Sequence, residues 1–252
     1  MKNPVLYEEL LPGEFTRRIQ AAPIAYLPLG TLEWHGEHMP LGADGIQSQA
    51  LFERLAREVG GVVLPKLFLG PDFVKEGAQG RLIGMDHFVE EGKERSYPEQ
   101  QLPGSAYYVP DALYHAMVDA IAGQLARAGI RILVAHGHGP STRQFQALAP
   151  EMEKQHGLRC LCCFFDDYGE NWREEGFQVD HGASNETSIV MACREDLVDM
   201  AQITAPAGVM PLGLAGVDPR GTASAQVGEK IFAYTQRRMA ALLRQALAEL
   251  RA

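Results

Sequence analysis

Short apolar runs alternate with stretches of helical periodicity along most of this chain. Ile24–Leu29 is continuously apolar and predicts a strand, while Ile46–Val59 carries Ile46, Ala50, Leu51, Leu55 and Val59 along one side of a helix. Val62–Pro65 reads as a short second strand. Asp111–Ala128 reads as a helix, opened by Pro110 and closed at Gly129, the Pro-early and Gly-late asymmetry of well-delimited helices. Ile130–Ala135 is apolar on both faces, as strands buried between two helical layers are. A helix over about Arg143–Gln155 follows, then the strand Leu158–Phe165, a short helix from Thr187, and an amphipathic helix from about Ala223 to the end. Strand–helix alternation predicts an α/β domain built on a mostly parallel sheet with helices on both faces. Pro71–Pro110 does not follow this rhythm. It is rich in Gly, Pro, Glu and aromatic residues, and a segment of that length predicts a lid or an oligomer contact.

Composition narrows the picture modestly. With 252 residues, 46% of them hydrophobic, the chain can bury one large core, so residues 1–252 are expected to form a single domain. A net charge of −9 argues against nucleic acid or an anionic membrane as partner. No signal-peptide pattern and no membrane-spanning apolar run is visible, so a soluble, cytoplasmic protein is expected. Cys160, Cys162 and Cys163 fall in one apolar strand, with Cys163 facing away from the other two. They read, with Cys193, as reduced thiols acting as small hydrophobes rather than as a zinc knuckle.

The chemistry is concentrated in three segments that hold five of the eight histidines. Glu33, His35, Glu37, His38 and Asp44 lie on the turn that leaves the first strand. Glu33 and His35 are two apart, so in extended backbone they face one cavity. Imidazole and carboxylate at this density suit a divalent metal. His38 could ligate or could orient a ligand from behind. Asp44 has a second reading as helix N-cap, with Gln47 completing the capping-box spacing. His136-Gly-His138 leaves the Ile130–Ala135 strand, with Ser141 or Thr142 available to cap the next helix. Its alternative is a Gly-rich phosphate cradle. His181 and Glu186 sit in a polar stretch opening a helix, where Glu186 could also simply favour the helix dipole. Ligands collect beyond the carboxyl ends of parallel strands, and Glu33, His136 and His138 lie there.

Together these segments resemble the creatininase (creatinine amidohydrolase) family of metal-dependent hydrolases. Pro28-Leu-Gly-Thr-Leu-Glu-Trp-His-Gly-Glu-His-Met-Pro-Leu-Gly-Ala-Asp44 follows the family pattern P-x-G-x-x-E-x-H-G-x-H-x-P-x-x-x-D throughout. His136-Gly-His-Gly-Pro-Ser141 stands for the usual Asn-Gly-His-Gly-Gly-Asn. His181 precedes Glu186-Thr-Ser188 at the family spacing, and Leu102-Pro-Gly-Ser105 stands for a Phe-Pro-Gly-Thr turn. The resemblance implies a three-layer α/β/α fold, hexameric assembly, and a site for two divalent ions (zinc, manganese or iron). Glu33, Asp44 and His138 would hold one ion and His35, Asp44 and Glu186 the other, with Asp44 bridging. His181 would transfer protons, so that His181, Glu186 and Asp44 form the catalytic set. Creatininase has a metal-binding Glu where this chain has Pro140, and Asn where it has His136. Both changes fall where substrate recognition would lie.

The expected chemistry is attack by a metal-bridging hydroxide on a small, cyclic amide or related C–N bond, with His181 protonating the departing nitrogen. Trp34 and Trp172 are candidates for an apolar wall against the substrate ring, or for plain core packing; His136 and His38 are further substrate-binding candidates. One rival keeps the metals and cleaves a C–C bond beside a ketone in a carbocyclic sugar derivative, with Arg81, Asp86, His87 and Arg143 meeting its hydroxyls. Another is a metal-binding subunit without turnover. The expected partners are a small-molecule substrate and further copies of the chain.

Overall fold

The structure is a computed structural model that describes residues 4–77, 80–88, 97–163, 177 and 179–250. Its centre is a four-stranded sheet in the order β2-β1-β5-β6, made of β1 (Ile24–Leu29), β2 (Val62–Val63), β5 (Ile132–Gly137) and β6 (Arg159–Cys162). Every pairing in it is parallel, with Ala25 opposite Val62, Pro28 opposite His136 and Leu133 opposite Cys160. All six residues of β1 are buried, which is why its sequence has no polar alternation.

Two apolar layers close over the sheet. On one face, Ile24, Tyr26, Ile132 and Val134 pack with α2 (Ala43–Glu58), α5 (Ser184–Arg194) and α6 (Ala225–Glu249). On the other, Ala25, Leu27, Leu29, Leu133 and Ala135 pack with α1 (Pro12–Ala21), α3 (Asp111–Arg127) and α4 (Gly139–His156). The α/β/α layering and the parallel sheet are as expected. Cys160 and Cys162 pack on the α3–α4 side and Cys163 on the other, and none of the four cysteines is in a disulfide. Burial pushes the Cys160 thiol up to about 12, so it is an inert packing group.

Several boundaries differ from the sequence expectation, and the differences matter for the site. α2 begins at Ala43 with Gly42 as N-cap, so Asp44 is inside the first turn and is not the cap. α4 begins at Gly139 with His138 as N-cap, so neither Ser141 nor Thr142 caps it. Thr142 Oγ1 instead donates to the Gly137 carbonyl (3.3 Å) and the Ser141 carbonyl accepts from Tyr114 (2.9 Å). β5 runs on to Gly137, carrying His136 into the sheet. α1 and an antiparallel hairpin, β3 (Val74–Gly77) with β4 (Gly80–Ile83), lie where no element was expected. Seven of the eight hairpin residues lie outside the core, so hydrophobic periodicity has little to report there, whereas α1 is a short amphipathic helix that sets Phe15 and Ile19 against the core.

Among the described residues, no helix is long and apolar enough to cross a membrane.

Candidate metal centre

Three helix N-termini meet at the carboxyl edge of the sheet, and each brings one functional side chain. Asp44 is the second residue of α2, His138 is the N-cap of α4, and Glu186 is the third residue of α5. The partial positive charge at a helix N-terminus favours the carboxylate form at Asp44 and Glu186. Glu33 and His35 come from the loop after β1, which is pinned where the Glu33 amide donates to the Leu41 carbonyl (3.0 Å). Gly137 makes the approach of His138 possible. Its φ of +136° is a glycine conformation, and a Cβ there would stand 1.9 Å from the Leu29 carbonyl oxygen.

Asp44 is the hub. Its Oδ2 lies 3.3 Å from His138 Nδ1 and 3.5 Å from His35 Nε2. His138 Nδ1 is also 2.7 Å from Glu33 Oε1, and His35 Nε2 is 3.7 Å from Glu186 Oε2. Backbone carbonyls behind the rings decide which nitrogens face inward. His138 Nε2–H donates to the Pro71 carbonyl (3.0 Å) and His35 Nδ1–H to the Glu33 carbonyl (3.3 Å). In the neutral rings the lone pairs are therefore on His138 Nδ1 and His35 Nε2, the atoms on either side of Asp44. His35 is fully buried, and its Nε2 has no hydrogen-bond partner. A buried imidazole nitrogen without a partner, set among carboxylate oxygens, fits a metal ligand.

Among the described residues, three triads of donor atoms could each hold an ion, with atoms within 4.8 Å of one another: Glu33–Asp44–His138, His35–Asp44–Glu186 and Glu33–His35–His181. The first two share Asp44 and are the two sets the motif resemblance implies. Nitrogen and carboxylate donors in this mixture suit zinc, manganese or iron. Without a cation, protons take its place. Burial opposes charge on His35, but Asp44 and Glu186 push it up to about 10, and Glu33 and Asp44 likewise raise His138 well above the ordinary value. Burial also opposes the charges on Glu33 and Asp44, yet His138 holds the first below the usual range and His35 the second well below it.

The remaining sequence candidates sit around this core. His181 stacks on His35 (4.3 Å between centroids) and its Nε2–H donates to the Trp34 carbonyl (2.6 Å). Trp34 is half-buried and its indole N–H is spent on the Pro103 carbonyl (2.6 Å), leaving the ring as an apolar surface. Trp172 lies outside the described residues. His38 is directed to α5: the Thr187 hydroxyl donates to the Gly182 carbonyl, so His38 Nε2–H donates to Thr187 Oγ1 (2.8 Å). His136 is hydrogen-bonded to Ser48 (2.8 Å) and packs edge-on to Phe52, on the α2 side of the sheet. Neither His38 nor His136 belongs to a donor triad among the described residues. Of the polar side chains in the 71–110 segment, Asp86 is occupied by the Ile83 and Leu102 amides, and Arg81 by Glu76.

Burial pushes the His136 ring down to about 4, against an ordinary 6.5. A histidine with a depressed folded value stabilises the protein above 6.5 and loses that contribution as pH falls towards 4. His136→Asn keeps a partner for Ser48 and removes the titration. Its unfolding free energy should therefore fall less between neutral pH and pH ~5 than that of the parent chain, by on the order of 1 kcal/mol in chemical denaturation. An identical acid limb would mean that His136 is not held neutral.

Four groups take roles at the site that the sequence does not announce, Gln47 reading there only as a capping-box partner of Asp44. Gln47 Nε2 donates to Glu186 Oε1 (3.1 Å) and approaches Asp44 Oδ1 (3.4 Å), tying α2 to α5. Asp180 accepts from the Asn185 and Glu186 amides and so caps α5; burial and Glu186 push its carboxyl up to about 7. The Pro71 carbonyl and Asp72 approach from the segment before β3. No local spacing announces these last two, because their significance arises from a contact across the fold.

The family model for creatinine amidohydrolase matches residues 8–243. The chain belongs to the creatininase family. The creatinine amidohydrolase of Pseudomonas putida is 28% identical over 241 residues, 88% of this chain and 85% of the relative. A crystal structure of creatinine amidohydrolase superposes with a TM-score of 0.72 at 25% identity, covering 98% of this chain and 99% of the other. A manganese form of creatininase superposes with a TM-score of 0.69 at 26% identity, covering 97% and 99%. The family and fold implied by the motifs are both confirmed, and the creatininase family comprises amidohydrolase enzymes that include this chain.

Proposed function

We propose that this chain is a metal-dependent amidohydrolase that holds two divalent cations, zinc, manganese or iron, and hydrolyses a small cyclic amide or related C–N bond. The observation that carries the reading is the position of Asp44 Oδ2 between two inward-facing histidine nitrogens, 3.3 and 3.5 Å away, each on a different candidate triad. Glu33, Asp44 and His138 hold one ion, and His35, Asp44 and Glu186 the other. Cations bound there would polarise the scissile carbonyl and acidify a water.

The protein's own contribution is orientation and proton transfer. Gln47 holds Glu186 in reach of His35, while the Pro71 and Glu33 carbonyls fix the outer N–H of each ring, so that His138 Nδ1 and His35 Nε2 face the site. His181 donates Nε2–H to the Trp34 carbonyl, so Nδ1 is the nitrogen that accepts a proton and returns it. A departing amine needs that proton, because an amide anion is too poor a leaving group. The Trp34 ring supplies apolar surface for a small ring, and residues 1–252 act as one catalytic domain within a homo-oligomer.

Incubating zinc- or manganese-loaded protein with a panel of cyclic amides tests the reading. It predicts one new carboxylate and one new amine for each ring opened, abolished by a chelator and restored by the metal. Turnover that yields an acid and a ketone without breaking a C–N bond would overturn it, as would no turnover by protein carrying both ions.

A further inference from the structure

Asp72 lies beside the His138 end of the metal centre and has no part in the ligand set. The residue before it, Pro71, accepts the outer N–H of His138 (3.0 Å), so the backbone leading into Asp72 is tied to the site. The half-buried carboxylate is held from two directions. Oδ1 accepts from the Phe73 amide (2.7 Å), and Oδ2 rests against the bare Cα of Gly84. At that glycine φ is +52° and a Cβ would stand 2.3 Å from Oδ2, so the turn that follows the hairpin leaves room for the carboxylate. Among the described residues, the Phe73 amide is its one hydrogen-bond donor, and no cation pairs with it. The nearby Arg143 guanidinium lies over the Phe73 ring instead, 5.7 Å from its centroid. Burial, and after it the charge of Glu33, raise the Asp72 carboxyl to about 7. Such a group gains most from a donor that arrives from outside.

We propose that Asp72 is a substrate-reading carboxylate, selecting small amides that carry a positively charged nitrogen on the acyl side of the scissile bond. The inference rests on the hydrolase reading above and names the substrate class for the same site. His181 and Asp72 mark its two ends. His181 stacks on His35 of one triad, whereas Asp72 follows the residue bonded to His138 of the other. A carbonyl held over Asp44 with its nitrogen towards His181 turns its acyl substituent towards Asp72. Glu33, Asp44 and Glu186 would hold the cations, and Asp72 would stay outside the ligand set as a carboxylate open to a donor from the substrate. An ammonium group satisfies it. A substrate with no donor at that position would leave it desolvated and unpaired, and a neutral hydroxyl would satisfy it less well than a charged nitrogen.

The test uses an isosteric pair of probes, glycinamide and glycolamide, titrated into zinc-loaded protein just above neutral pH, where Asp72 is ionised and much of the glycinamide amine is still charged. Binding is followed by NMR, with the zinc content of each sample measured alongside. The parent chain should bind glycinamide roughly 10- to 100-fold more tightly than glycolamide, the range expected for a charged hydrogen bond. Asp72→Asn, which keeps the size and the Phe73 contact, should lose that preference with its zinc content and its glycolamide affinity unchanged. Equal affinity of the parent chain for both probes, including no measurable binding of either, would overturn the proposal. So would a preference that survives in Asp72→Asn, or a variant that loses its zinc. Discrimination at the binding level without any amide turnover would leave the Asp72 assignment standing and refute the hydrolytic reading alone.

Discussion

Replacing His181 by Asn should lower kcat on an amide substrate by about 10²- to 10⁴-fold, the usual weight of a positioned acid–base group. Metal content and KM should stay close to those of the parent chain. The expectation follows from how the ring is held. His181 Nε2–H is fixed on the Trp34 carbonyl and the ring face lies on His35, so only Nδ1 is free to move a proton. Asn preserves a donor for the Trp34 carbonyl and leaves the Glu33–Asp44–His138 and His35–Asp44–Glu186 triads complete. A purely structural His181 would instead show an unchanged kcat, or a loss that tracks metal content. Substrates with leaving groups that need no protonation should lose far less than amides do, and that contrast separates proton transfer from general disruption.

Loading the metal-free protein near neutral pH should release about two protons per chain, since ligation requires deprotonated imidazoles. The source is visible in the geometry. His35, at about 10, and His138, well above its ordinary value, carry protons that Asp44, Glu186 and Glu33 stabilise. Glu33 and Asp44 are already ionised and contribute none. The sign for stability runs the same way. A histidine whose folded value is raised stabilises fully below its unfolded 6.5, and that contribution fades as pH rises through about 10. The metal-free protein should therefore lose thermal stability across that window, whereas the loaded protein should keep it, because cations replace the protons. Calorimetry in two buffers of different ionisation enthalpy measures the release. His35→Ala should release about one proton fewer. Loading without proton release would mean that the carboxylates do not hold these rings charged.

Much of this site can be read along the chain because its candidate ligands cluster at element boundaries. Glu33 and His35 follow β1 and His138 follows β5, each at a switch from apolar run to polar turn, and Glu186 opens α5 where a polar stretch runs into an apolar helix. The motif order and spacing carried the family as well. Helix starts were harder. Asp44 and Gln47 have capping-box spacing, yet Gly42 caps α2 and both side chains turn inward to the site. Ser141 looks like a cap, but the chain turns helical directly after His138. The hairpin β3–β4 was invisible because a ribbon with only one fully buried residue, Leu82, has no apolar period. The roles of the Pro71 carbonyl and Asp72 depend on contacts with His138 and Gly84, which no local pattern encodes. His136 stood out by its neighbourhood, and its side chain follows the strand alternation to the α2 face, where it meets Ser48.

The central claim is that one carboxylate, Asp44, joins two ion sites. Metal analysis of the purified chain beside Asp44→Ala, each reloaded with zinc or manganese, tests it most directly. The account predicts about two ions per chain in the parent and about one or none in the variant, because both triads lose a ligand at once. Two ions retained in Asp44→Ala, or none in either protein after reloading, would contradict it.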